Sequence, residues 1–152
     1  MKTDSQIMNE VAVSSGCLRP LPEEDSAAQK RLLLQVYCDV ATVCDKYNLE
    51  YLTSGGTCLG AVRHKGFIPW DDDFDMIMPR ASYEKFKDLC IHGALGDSYE
   101  IDAPNKHKDC KNAFLKVYRK NTLDVEIFAE NAPGPKGIYI DVFPMDYAPQ
   151  NK

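Results

Sequence analysis

No apolar stretch in this chain approaches the roughly eighteen residues that a membrane-crossing helix requires. The N-terminal residues contain no continuous apolar run either, so no signal peptide is expected there. An excess of basic residues is also missing. Lys and Arg number 18 against 23 Asp and Glu, and the resulting charge of −5 argues against broad nucleic-acid binding. The six cysteines, at 17, 38, 44, 58, 90 and 110, include no C-x-x-C pair. That spacing argues against zinc and for reduced, mostly buried thiols in a cytosolic protein. No internal repeat or low-complexity tract interrupts the chain. What is present suits a globular protein: 44% hydrophobic and 27% charged residues in a 152-residue chain. That length fits one domain able to bury roughly two-thirds of its unfolded surface.

The densest chemistry lies between Thr53 and Pro79, TSGGTCLGAVRHKGFIPWDDDFDMIMP. Asp71, Asp73 and Asp75 are spaced two apart and run into Met76-Ile77-Met78, a strand-forming stretch. Extended residues two apart share a face, so Asp73 and Asp75 stand about 7 Å apart while Phe74 and Met76 turn inward. Like charges at that distance repel by roughly 2–2.5 kcal/mol at an effective dielectric near 20. A proton, an arginine or a divalent cation relieves this, and oxygen-only ligands suit Mg²⁺ or Mn²⁺. Apolar Phe67, Ile68 and Trp70 before the acids argue against a plain solvated loop. An EF-hand needs Gly next and Glu at its twelfth position, where this chain has Met76 and Ser82. A haloacid-type phosphatase needs an apolar strand leading into D-x-D, and Pro69-Trp70 break that approach.

The glycines precede the acids. Leu49 to Thr53 reads as a short strand, Ser54-Gly55-Gly56-Thr57 as a turn, and Cys58 to Val62 as a helix. A strand, a glycine turn and a helix start present free N–H groups to an anion. Ser54 and Thr57 are placed to cap the helix or donate to phosphate. A phosphate cradle followed by an acidic strand is what phosphoryl or nucleotidyl transfer requires. Further along, Ile138, Ile140 and Val142 alternate with Tyr139, Asp141 and Phe143, a strand carrying one carboxylate among apolar neighbours. A carboxylate so placed must be paired, protonated or metal-bound. Asp146, past Pro144, reads as a turn residue. Arg63 suits phosphate or carboxylate through its guanidinium, His64 reads as a surface residue, and Lys116 is either a phosphate ligand or solvent-facing.

The rest of the chain reads as α/β. Residues 1–20 look loose and flexible. Pro22-Glu23-Glu24-Asp25-Ser26 starts a helix of about twenty residues with acids at the positive end of its dipole. Its buried stripe is Leu33, Val36, Tyr37, Val40, Cys44 and Tyr47, and Asn48 stops it. Ser82 caps a second helix carrying Tyr83, Phe86, Leu89 and Cys90 inward. Tyr99–Ile101, Ala113–Tyr118, Leu123–Phe128 and Ile138–Phe143 read as strands. This order fits a mixed β-sheet backed by helices.

The segment SGGTCLGAVRHKGFIPWDDDFDMIMPRASYEKF resembles the signature of LicD family phosphotransferases, relatives of fukutin-related protein in the nucleotidyltransferase superfamily. The resemblance extends downstream to Lys116-Val117-Tyr118-Arg119 and to the Gly137–Pro144 segment, leaving only the first twenty or so residues outside it. It implies a nucleotidyltransferase-like α/β (α+β) domain over residues 21–152 that lacks the family's C-terminal portion. It also implies a metal, Mg²⁺ or Mn²⁺, held by the catalytic carboxylates Asp73, Asp75 and Asp141. Ser54, Gly55, Gly56, Thr57, Arg63 and Lys116 would then bind the substrate. The implied reaction moves a phosphoalcohol, typically phosphocholine from CDP-choline, onto a cell-surface glycan such as lipopolysaccharide or teichoic acid. A cytoplasmic location, acting at the inner membrane face, follows from that reading. Another nucleotidyl- or glycosyltransferase, or a non-catalytic nucleotide- and metal-binding module, stands as the alternative. A GT-A glycosyltransferase would need a βαβ region before its D-x-D, where only one strand precedes it.

Overall fold

A computed structural model describes residues 10, 14, 21–104, 112–125 and 133–148; the N-terminal segment expected to be flexible lies almost wholly outside them. The first element, α1 (Glu23–Tyr47), opens after Pro22 with no side-chain cap. Glu23, Glu24 and Asp25 face the positive end of its dipole instead. Asn48 ends it in the left-handed conformation, φ 52°, which asparagine tolerates better than most residues. The Leu49 N–H then returns to the Cys44 carbonyl at 2.9 Å. This reversal shortens the expected strand. Leu49 joins the core, the Glu50 N–H donates to the Ser82 hydroxyl at 3.1 Å, and β1 is only Leu52–Thr53.

The remaining elements are α2 (Gly55–Arg63), β2 (Asp75–Pro79), α3 (Arg80–Ile91), β3 (Tyr99–Asp102), β4 (Leu115–Arg119) and β5 (Tyr139–Met145). Helix α3 starts two residues before the expected Ser82 cap, because Pro79 (φ −51°, ψ 142°) ends β2 and turns the chain directly into the helix. Strand β4 begins at Leu115 rather than Ala113. Strand β5 runs on through Pro144, which lies past the end of β4, where β5 has a neighbour on one side only. Residues 122–125 form no strand, and 126–128 of the expected Leu123–Phe128 strand lie outside the described residues.

The sheet has the order β1-β2-β5-β4-β3, with β2 and β5 parallel and the other neighbours antiparallel. It is the mixed sheet backed by helices that the pattern of elements implied. Parity divides its residues between two faces. Met76, Met78, Leu115, Val117, Ile140 and Val142 are each fully buried, and they share the core with Leu33, Val36 and Val40 of α1 and Phe86 of α3. The opposite face carries the polar residues described below.

A polar clasp joins α1 to the edge strand. The buried Tyr99 hydroxyl donates to Asp39, and the Arg119 guanidinium lies 5.2 Å from the Tyr99 ring centroid. Tyr99→Phe is expected to cost about 1–2 kcal/mol in urea unfolding, since it removes one hydrogen bond to a charged group. It should leave ligand binding on the far face unchanged. Among the described cysteines, Cys44 and Cys90 are buried, but Cys38 and Cys58 are exposed, so the expectation of mostly buried thiols holds for half of them. Burial pushes the Cys44 thiol up to about 12, which keeps it protonated and unreactive.

Candidate active site on the sheet face opposite the helices

Strand register assembles the site. Asp75 of β2 pairs with Asp141 of β5, Asp141 with Lys116 of β4, and Lys116 with Asp102 of β3. The four therefore form one transverse row on the face that α1 and α3 leave uncovered. On the β1 side the row continues to Ser54, whose N–H donates to the Asp75 carbonyl at 3.1 Å. Asp73 precedes the strand, and between it and Asp75 the Phe74 carbonyl accepts the Asp141 N–H at 3.0 Å. Phe74 and Met76 are buried, as their alternation implied.

The glycine helix packs its N-terminus against these carboxylates. Gly55 has φ +53°, and a Cβ there would stand 2.7 Å from Asp75 Oδ2. At Gly56 a Cβ would stand 2.5 Å from Asp71 Oδ2. Both positions exclude a side chain so that backbone and carboxylate can meet. Thr57 is buried, and its hydroxyl accepts the Asp75 N–H at 2.9 Å, so it braces the acidic strand. Ser54 precedes the helix but makes no side-chain cap. The first N–H groups of α2 thus open toward the acids.

Lys30 of α1 fixes the loop that delivers those acids. Its ammonium donates to the Pro69 carbonyl at 2.7 Å and the Ile68 carbonyl at 3.3 Å. Gly60 lets the same loop approach α2: a Cβ there would lie 2.6 Å from the Gly66 carbonyl oxygen. Within the loop Ile68 is buried, whereas Trp70 is 78% exposed and gives the acids no apolar cover.

Two residues singled out from the sequence, Arg63 and Asp146, lie elsewhere. Arg63 ends α2, about 12 Å along the axis from Gly55. Exposed there, its Nε donates to His64 Nδ1 at 3.3 Å, and it does not join the carboxylates. Asp146 lies in no turn of the site; it accepts the Arg80 Nε at 2.8 Å on the surface. Lys116 is not solvent-facing. It is buried, with its ammonium 3.1 Å from Asp141 Oδ1, so Asp141 carries the lysine partner that burial demanded. The sequence alone assigns Asp71 no role. Its Oδ2 is buried with no hydrogen-bond partner, beside Gly56.

Electrostatics mark the acids as short of positive charge. Burial first, then Asp75, Asp71 and Asp72, push the Asp73 carboxyl from 3.8 up to about 6. Burial and then Asp71 raise Asp75, against the pull of Lys116. A carboxyl whose pKa is higher in the fold than in the unfolded chain costs stability as pH rises from about 4 to 6, and the full cost remains above that. Asp73→Asn is therefore expected to stabilise the metal-free protein at pH 7.5. The gain should be about 1 kcal/mol, discounted because the carboxyl is only partly withdrawn from water. Denaturation at pH 7.5 and pH 4 tests this, and the difference should vanish at pH 4.

A divalent cation suits this donor set. The candidate ligands are hard oxygens, among them the buried Asp71 Oδ2 with no hydrogen-bond partner, beside a glycine-opened helix end. Among the described residues no group of three His, Cys, Asp or Glu has already converged to hold an ion. The ligands are close in register but not drawn onto one point.

A mixed sheet with helices on one face, and acids in register beside a glycine-opened helix on the other, defines an α/β domain of the nucleotidyltransferase class. The chain belongs to the LicD/FKTN/FKRP nucleotidyltransferase domain family, whose model matches residues 48–150, from the Asn48 stop through β5. Over 61 residues it is 44% identical to the lipopolysaccharide cholinephosphotransferase LicD of Haemophilus influenzae, across 40% of this chain and 23% of that protein. An uncharacterized protein of Rickettsia typhi is 29% identical over 120 residues, 79% of this chain and 36% of its own length. One of Rickettsia prowazekii is 34% identical over 87 residues, 57% of this chain and 32% of its own. The chain thus spans well under half the length of each of these relatives. No helix among the described residues is long and apolar enough to cross a membrane.

Proposed function

We propose that this domain binds a divalent cation, Mg²⁺ or Mn²⁺, together with a CDP-activated alcohol, most directly CDP-choline. Its phosphoalcohol would be transferred to a cell-surface glycan in lipopolysaccharide or teichoic acid biosynthesis, at the cytoplasmic face of the inner membrane. One observation carries the reading: Asp75 and Asp141 are direct partners on adjacent parallel strands, beside the open N-terminus of α2. Two carboxylates in register, with a third on the preceding residue pair, are what a metal-assisted phosphoryl transfer needs. Similarity to the Haemophilus influenzae lipopolysaccharide cholinephosphotransferase supports phosphocholine as the group moved.

In this reading Asp73, Asp75 and Asp141 hold the cation, and Asp71 is placed to add a fourth oxygen. When bound, the cation neutralises charge on the diphosphate and lowers the barrier to attack by an acceptor hydroxyl. The chain's own groups do the rest. The N–H groups of Gly55, Gly56 and Thr57 are the free donors of the first turn and hold phosphate oxygens. Thr57 keeps Asp75 in place through the strand backbone.

Calorimetry with Mg²⁺ and CDP-choline, CTP or a UDP-sugar separates this from the alternatives. Preference for CDP-choline, with release of CMP when an acceptor glycan is added, is the expected result. Preference for CTP or a UDP-sugar would move the domain to another transferase class. Donor binding without turnover would make it a binding module.

A further inference from the structure

Lys116 differs from an ordinary phosphate-binding lysine in how completely it is held. Its ammonium lies 3.1 Å from Asp141 Oδ1 and 3.4 Å from Oδ2, so it straddles the carboxylate. The Tyr139 ring centroid lies 3.7 Å away and that of Phe114 5.6 Å away, and both cation–π contacts help to hold the ammonium at this point. The Lys116 and Asp141 side chains are 10% and 14% exposed, so neither charge is screened by much water. The next partner along the row is Asp75. A metal held by Asp141 would meet this tethered ammonium at the same carboxylate, and the two positive charges would repel each other there.

We propose that Lys116 is a built-in counter-cation that reserves Asp141 until metal and donor arrive together. A metal arriving alone must displace the ammonium from Asp141 and sets a second positive charge beside it. A metal arriving with a diphosphate brings anionic oxygens to which the ammonium can transfer. Lys116 thus couples the two binding events, and by linkage each ligand must strengthen the other by the same factor.

The inference rests on the metal site proposed above, and Mn²⁺ calorimetry with and without saturating CDP tests both. The wild-type protein should bind Mn²⁺ at least tenfold more tightly when CDP is present. Lys116→Gln, neutral and still able to donate to Asp141, should bind Mn²⁺ alone about tenfold more tightly than wild type, and CDP should then add threefold or less. Lys116→Arg should retain the wild-type coupling. Lys116→Met should behave as Lys116→Gln; if near-ultraviolet circular dichroism shows it unfolded, the glutamine variant decides. Unchanged coupling, or weaker Mn²⁺ binding, in folded Lys116→Gln overturns this inference and leaves the metal site standing. Failure of the wild-type protein to bind Mn²⁺ in either condition overturns both.

Discussion

Asp75→Asn and Asp141→Asn should each abolish measurable Mn²⁺-dependent CDP binding, a loss of a hundredfold or more, yet move stability in opposite directions. Both substitutions keep side-chain size and remove one negative charge. Asp75 stands in a charge-rich setting, raised by burial and by Asp71, so its neutral replacement relieves repulsion and should be neutral or slightly stabilising without metal. Asp141 is the carboxylate partner of a buried lysine. Removing one member of such a pair leaves an uncompensated buried charge and typically costs about 3–5 kcal/mol. With the pair slightly exposed, about 2–4 kcal/mol is expected for Asp141→Asn. Urea unfolding in chelator reads the stability, and calorimetry reads the binding. Adding Lys116→Gln to Asp141→Asn should recover most of the stability and none of the metal binding. Equal destabilisation by both single substitutions would contradict the distinction between a free and a paired acid.

Gly55→Ala is expected to weaken Mn²⁺–CDP binding at least tenfold and to cost about 1–2 kcal/mol of stability. The backbone term is the price of the left-handed region, roughly 1–2 kcal/mol for a residue with a Cβ. Contact makes the functional loss larger than the stability loss: the new methyl would stand 2.7 Å from Asp75 Oδ2, so the carboxylate must turn out of the row. It also narrows the opening to the first N–H groups of α2. Gly66→Ala is the control, because a Cβ there meets nothing within 4 Å. It should change stability by less than about 0.5 kcal/mol and leave binding intact. Equal effects of the two substitutions would show that Gly55 serves as a turn and not as part of the site.

Local signals were legible in the sequence and register was not. The α1 stripe, the Asn48 stop, the glycine helix and the alternation of Phe74 and Met76 all follow from periodicity and backbone preference, which act within a few residues. Asp141 could be recognised as a carboxylate that needed a partner, but not assigned one. Lys116 becomes its neighbour only through the pairing of β4 with β5, twenty-five residues apart in sequence. Arg63 is near the acids in sequence, whereas the length of α2 carries it to the far end of that helix. The short β1 was overestimated because Leu49 reads equally well as strand or core, and the Ser82 hydroxyl claims the Glu50 N–H. Asp71 has one signal in the sequence: the two-residue spacing of the acids includes it. Its buried, unsatisfied oxygen is visible only in three dimensions.

Anomalous diffraction from crystals grown with Mn²⁺ and CDP tests the central claim most directly. The account predicts one strong manganese peak about 2.1 Å from oxygens of both Asp75 and Asp141, with the Lys116 ammonium moved from Asp141 to a phosphate oxygen. A manganese ion held only by the Asp71–Asp73 loop, with Lys116 still seated on Asp141, would contradict it.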